Sequence, residues 1–252
     1  MQSLKFAKTV NAPKNTGIYT HRVLIGVPTL GVVRIEWHNA MNGIVIPVNW
    51  SNSYQTPIGF QVDDAQNLIV KEAIDKGFEW LILIEDDVVV PCDIFITLSK
   101  YIKSKKYPIV SGLYNLKGSM PQPFIFRGRG NGSFTKFKNG DKVMADGVPT
   151  GCLLVHCSVL KELAKTSEDY ELRVNGNRIK LKKIFWTPRI VYTDVSLSSY
   201  QKLIGTSDLW FCDRIIKEGI LKKTGWKREG FPFLVDTSIF CGHIDRETGQ
   251  IY

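Results

Sequence analysis

Apolar positions along the chain fall into short dense runs separated by polar breaks rich in glycine and proline. The run "RVLIGVPT" (22–29) reads as a buried strand that stops at Pro28. Asp63 or Asp64 is placed to cap a helix in which Ala65, Leu68, Ile69 and Ala73 recur at helical spacing, and Gly77 closes it. "WLILI" (80–84) is a second buried strand, so the first third of the chain predicts strand, connection, helix, strand, the order of a parallel crossover. Asp93 then caps a helix with Ile94, Phe95, Leu98 and Ile102 inward, and "PIVSGLY" (108–114) supplies the next strand.

Beyond that point the pattern loosens. Residues 117–146, with "FRGRGNGSFTKF", predict loops and short hairpin strands. "GCLLVH" (151–156) returns to a buried strand, followed by a helix capped by Ser158 and carrying Val159, Leu160 and Leu163. Residues 166–200 predict a hairpin around Asn175-Gly176 and then the aromatic "IFWTP", read as a substrate-facing insertion. Ser207 starts a helix that ends at Gly219, and "FPFLVD" (231–236) is a last strand leading into "CGHID" (241–245). The class is therefore α/β.

The 252 residues and 44% hydrophobic content suffice for a sizeable core. No stretch reaches 18 consecutive apolar residues and the amino terminus has no apolar run, so the expectation is a cytoplasmic protein. Five scattered cysteines without a C-x-x-C pair argue against a disulfide framework or a structural zinc site. The net charge of +9 comes from lysine clusters in "KSKKY", "RIKLKK" and "LKKTGWKR". These read as solvated faces first, then as a surface for peripheral contact with anionic lipid or a polyanionic substrate. Nucleic acid comes third, since no recognition helix, zinc finger or aromatic RNA-binding signature accompanies the charge.

The chemistry concentrates in "EWLILIEDDVVVP" (79–91), where a buried strand runs into Glu85, Asp86 and Asp87. Two carboxylates about 4 Å apart repel by roughly 4 kcal/mol at an effective dielectric near 20, so something positive is expected among them. Open α/β sheets bind ligands outside the carboxyl ends of their strands, which is where the triplet falls. A divalent cation, Mn2+ or Mg2+, shared between a carboxylate and phosphate oxygens would account for the charges. His243, in a glycine-flanked turn after the last strand, is a candidate nitrogen ligand if that turn folds back onto the same sheet edge.

The ordered set of the strand ending in "VPT", the Glu85-Asp86-Asp87 motif of D-x-D type, Pro149-Thr150-Gly151-Cys152 and an acidic helix start followed by a histidine resembles family-two-like GT-A fold glycosyltransferases, from about Arg22 to Asp245. The resemblance implies one GT-A type domain with a Rossmann-like, mostly parallel central sheet flanked by helices. Residues 22–115 would form its nucleotide-binding half and 116–252 its acceptor and catalytic half. It implies Pro28 and Thr29 beside the nucleotide base, with Asn67 a weaker candidate, Asp87 on the metal, and Glu85 or Asp86 at the ribose or metal, with His243 completing the metal sphere. It further implies Asp208 as catalytic base of an inverting reaction, and Trp186, Tyr114 and Gly151 bordering the acceptor. The partners implied are a nucleotide-sugar donor and a glycan, lipid-linked or protein acceptor. Two positions depart from the family pattern. Ala65-Gln66-Asn67 replaces Ala-Arg-Asn, removing a cation from the diphosphate side, and Ser207-Asp208 replaces a Glu-Asp pair.

Two rivals stand beside this reading. A nucleotidyltransferase acting on a sugar phosphate also joins metal, nucleotide and sugar, but "GVPTLGVVRIEW" lacks the glycine-rich phosphate loop with a basic residue. A nonenzymatic basic module would bind nucleic acid or membrane in a salt-sensitive way without metal-dependent nucleotide binding.

Overall fold

The computed structural model describes residues 21–128, 132–174, 176–193, 199–203, 205–226 and 230–252. In chain order the elements are β1 (His21–Gly26), α1 (Ile35–Asn42), β2 (Trp50–Gln55), α2 (Val62–Asp75), β3 (Trp80–Ile84), β4 (Val88–Val89), α3 (Ile94–Ser104) and β5 (Ile109–Leu113). There follow β6 (Lys142–Ala145), β7 (Cys152–His156), α4 (Cys157–Thr166), β8 (Asp169–Val174), β9 (Asn177–Lys182), β10 (Arg189–Thr193) and β11 (Ser199–Leu203). The chain closes with α5 (Ser207–Lys217), α6 (Ile220–Lys223), β12 (Phe233–Phe240) and β13 (Gly242–His243).

Seven strands form the main sheet in the order β2-β1-β3-β7-β5-β12-β6. β1 is parallel to β2 and β3, and β5 is parallel to β12. β7 runs antiparallel to both β3 and β5, so those two share a direction, and β6 is antiparallel to β12. All strands but β7 and β6 therefore point the same way, as expected of a mostly parallel sheet. The reversal of β7 is not readable from "CLLVH", because a fully buried strand is apolar whichever way it runs.

Alternation along β3 divides the core into two layers. Leu81 and Leu83 face Ile69 and Ala73 of α2, Leu160 of α4 and Phe211 of α5. Trp80, Ile82 and Ile84 face the other side, with Phe95, Leu98 and Ile102 of α3. The strand's five residues are all 0% exposed, so nothing polar is tolerated until the chain leaves the sheet at Glu85.

The helices form where the periodicity places them, but their caps shift. Asp63 does not cap α2. Gln61 holds the cap position, and the Asp63 carboxylate instead accepts from the Thr187 backbone N–H at 3.0 Å. α4 is capped by the His156 ring, which accepts from the Ser158 N–H. α5 is capped one residue early, by Thr206 through the Leu209 N–H, leaving Ser207 buried inside the first turn. Asp93 does hold the cap position of α3, with no side-chain cap bond. Gly77 follows α2 with φ of 65°, as a helix stop requires. The hairpin of β8 and β9 turns through Gly176 at φ 81°, while Asn175 lies outside the described residues. α1 and β2 fill the connection after β1 and escape a periodicity argument, since α1 buries no residue and β2 is a polar edge strand.

Candidate active site

The acidic triplet sits where β3 leaves the sheet, as its sequence position implies. The Glu85 N–H donates to the Gly151 carbonyl at 3.0 Å and the Val88 N–H donates back to the Glu85 carbonyl at 3.1 Å, closing a tight turn. β4, directly after it, pairs with β13, placing His243 opposite Val88, and the Ile244 N–H donates to the Asp87 carbonyl at 2.7 Å. The turn carrying His243 thus folds back onto the triplet's sheet edge.

The three acids occupy different environments. Asp86 is buried, accepting from the Thr29 hydroxyl and the Arg246 guanidinium, and burial pushes its carboxyl up despite those two partners. Asp87 accepts from the Lys117 ammonium at 2.7 Å and has His243 Nε2 at 3.7 Å. Burial opposes its ionisation, but the His243 ring and Lys117 outweigh it and hold the carboxyl down at about 2. Glu85 accepts from Gln66 at 3.3 Å, and the Thr150 hydroxyl lies between Glu85, at 3.1 Å, and Asp208 in the first turn of α5, its single proton serving one of the two carboxyls at a time. Burial, with Asp208 and Asp87 nearby, pushes Glu85 well above the carboxylate range. Burial pushes Asp208 to about 6, the Asp87 charge adding to it and the Thr150 bonds opposing it.

Part of the expected positive charge is therefore protein. Lys117 and Arg246 supply it, the latter also 3.8 Å from Asp87 through Nε. Neither residue is periodic or in a motif, and both lie in turns, so only the unbalanced charge of the triplet pointed to a partner. Thr150 and Gln66 were likewise legible as parts of motifs but not as the bridge between Glu85 and Asp208.

Two features fit an additional cation. Asp87 Oδ1 is buried and has no hydrogen-bond partner among the described residues, which costs about 1–3 kcal/mol or more for a charged group. His243 Nδ1 donates to the Asn115 carbonyl at 2.8 Å, the bond that aims Nε2 toward a metal in many histidine sites. Glu85 is turned to Thr150, and among the described residues no group of three His, Cys, Asp or Glu side chains is placed to hold a metal. Asp87 and His243 are thus a two-donor set that needs further oxygens from a ligand, as a magnesium or manganese site shared with phosphate does.

A cleft of about 520 Å³ opens over these groups, lined by Pro28, Thr29, Val62, Glu85, Asp87, Lys117 and Arg246 among others. Tyr114 and Gly151 lie behind it rather than in it. The Tyr114 hydroxyl accepts from the Gly151 N–H at 3.2 Å, and its ring packs against His243 at 4.8 Å. A Cβ on Gly151 would stand 2.7 Å from both that hydroxyl and Val88. Gly151→Ala is expected to cost about 1–3 kcal/mol in chemical denaturation, an overpacking penalty that a wild-type midpoint would disprove.

Asn67 and Trp186 are placed elsewhere. The Asn67 amide donates to the Phe185 carbonyl at 2.9 Å and to Tyr170, and accepts from the Ile184 and Phe185 N–H groups. It fastens the 184–185 segment to α2, with both its oxygen and its nitrogen committed to protein partners. Asn67→Ala strands these buried groups and is expected to lower stability by about 2–4 kcal/mol, measured by urea unfolding, with ligand binding at the acidic site retained. Trp186 lines a different cavity, of about 310 Å³, beneath Lys183 and beside Trp210 and Arg214.

No protein-family model matches the chain, and no curated protein does. Among solved structures, A197 from STIV superposes with a TM-score of 0.53 over 90% of this chain and 87% of its own, at 14% identity. The two chains share a fold. A region of TarS from S. aureus, in complex with UDP-GlcNAc, aligns at a TM-score of 0.42 and 12% identity, over 88% of this chain and 57% of that one. The seven-stranded, mostly parallel sheet flanked by helices is the GT-A type architecture that the sequence resemblance implied. No helix among the described residues is long and apolar enough to cross a membrane.

Proposed function

We propose that this protein is a glycosyltransferase that takes a sugar from a nucleotide diphosphate donor, with a divalent cation, and passes it to an acceptor hydroxyl with inversion at the anomeric carbon. The observation that carries the reading is the buried, unpartnered oxygen of an ionised Asp87 beside the aimed His243, at the end of β3 and in the cleft that also contains Pro28 and Thr29. Asp87 and His243 would hold Mn2+ or Mg2+, which supplies neutralisation of the charge that builds on the departing diphosphate. Lys117 and Arg246 add charge at the same place. Asp208, held by the Thr150 hydroxyl, takes the proton from the acceptor oxygen as that oxygen attacks opposite the diphosphate. The acceptor is a glycan, lipid-linked or protein hydroxyl, and a basic surface fits peripheral contact with an anionic membrane.

A metal-free variant of this reading has its own support, since two cationic side chains already reach Asp86 and Asp87. A thermal-shift screen of nucleoside diphosphates and nucleotide sugars, with manganese or with EDTA, separates the two. A ligand at 100 times its dissociation constant stabilises by about 2.7 kcal/mol. Stabilisation that needs manganese supports the metal-assisted reading, stabilisation that survives EDTA supports Lys117 and Arg246 alone, and no response to any nucleotide removes both.

A further inference from the structure

A groove of about 670 Å³ runs along α3 on the side facing β12 and β6, and the proposed transfer does not use it. It extends from Asp93 at the helix start to Ser104 at its end, eleven helical residues or about 16 Å. Lys100, Lys106 and Lys142 line it, two of them on the chain around the lysine run that stood out in the sequence. Neither Lys100 nor Lys142 makes an ion pair among the described residues. Between them the lining is polar: the Thr97, Ser104 and Ser238 hydroxyls, the Asp93 carboxylate, and the buried Asp236. Asp236 Oδ1 accepts from the Ser238 N–H and hydroxyl, and its Oδ2 accepts from the Tyr101 hydroxyl.

This mixture selects among ligands. The Lys100 and Lys142 ammonium groups, without carboxylate partners, call for an anion, but a bare polyanion would gain nothing from Asp93 or from the lone pairs of the Thr97, Ser104 and Ser238 hydroxyls. Hydroxyl groups on the ligand would use those acceptors. The tyrosines are not a stacking platform for bases, because Lys142 sits 5.5 Å over the Tyr101 ring and Lys106 5.5 Å over Tyr107, and Tyr101 is only 5% exposed. We propose that the α3 groove binds an extended acidic saccharide, with Lys100 and Lys142 taking its negative groups and the Asp93 carboxylate and the hydroxyls of the groove taking its ring hydroxyls. The site is separate from the cleft and does not depend on the activity proposed there.

Isothermal titration of the full chain with a hyaluronan tetrasaccharide tests it, beside maltotetraose, a thymidine octanucleotide and inorganic phosphate. The expected result is saturable binding of the hyaluronan fragment, at least tenfold weaker binding of the other three, and a loss of tenfold or more in the Lys100→Ala/Lys142→Ala variant, whose two exposed positions leave the fold unchanged. Saturating UDP with manganese is expected to leave that affinity intact. Equal binding of maltotetraose or phosphate, tighter binding of the octanucleotide, an unaffected variant, or displacement by UDP would each overturn the assignment.

Discussion

Asp87→Ala is expected to abolish manganese-dependent binding of a nucleoside diphosphate, a loss of at least 100-fold by calorimetry, while the circular dichroism spectrum stays that of the parent. The substitution removes both the unpartnered oxygen and the carboxylate that faces His243, leaving one metal donor where two are already few. The fold survives because Asp87 caps no helix and Lys117, 30% exposed, turns to water when its partner is gone. The wild-type carboxyl titrates at about 2, below its unfolded value near 3.9. Its contribution to stability is therefore present above about pH 4 and is lost as pH falls through 2, and the variant lacks that dependence. Unchanged manganese-dependent binding in the variant would remove Asp87 from the site.

Asp208→Asn is expected to keep donor affinity and lose turnover by 10² to 10⁴, the range for removal of a general base. An ordinary aspartate is a poor base for a hydroxyl. Here burial, with the Asp87 charge, raises the group to about 6, closer to working pH. The same shift has the opposite sign for folding. A carboxyl whose folded value lies above its unfolded one destabilises when ionised, so the cost grows between about pH 4 and 6 and is full above that. The asparagine variant should therefore be more resistant to urea than wild type at pH 8 and equal to it at pH 4. Near-normal turnover, or a product that retains anomeric configuration by NMR, assigns the base elsewhere.

The central strands, the helices that cover them and the strand-end position of the triplet were all legible, because each depends on the period of buried residues and on where that period is broken by charge. Cap identities were less so. Asp63 has the right chemistry for a helix start, but a tertiary donor on Thr187 competes for it, and nothing local records that competition. Asn67 shows the same limit from the other side: a buried amide in a nucleotide-binding pattern is indistinguishable from one that bolts two segments together until both segments are seen. Lys117 and Arg246 reach the triplet from turns 30 and 160 residues away, distances over which sequence spacing carries no signal.

The reversed strand β7 governs when the sheet can close during synthesis. It fills the gap between β3 and β5, so neither earlier strand has a partner on that side until residues 152–156 exist, and the far edge of β5 stays open until β12 begins at residue 233. At 5–20 residues per second, the stretch from Leu113 to Phe233 takes a ribosome roughly 6–24 s. For that interval the nascent chain carries an apolar strand with bare backbone donors and acceptors, the kind of edge that recruits other chains. The β5 side of this sheet is thus its last part to be sealed, when β12 enters between β5 and β6, and a chain arrested before residue 233 should depend on holding chaperones to stay soluble.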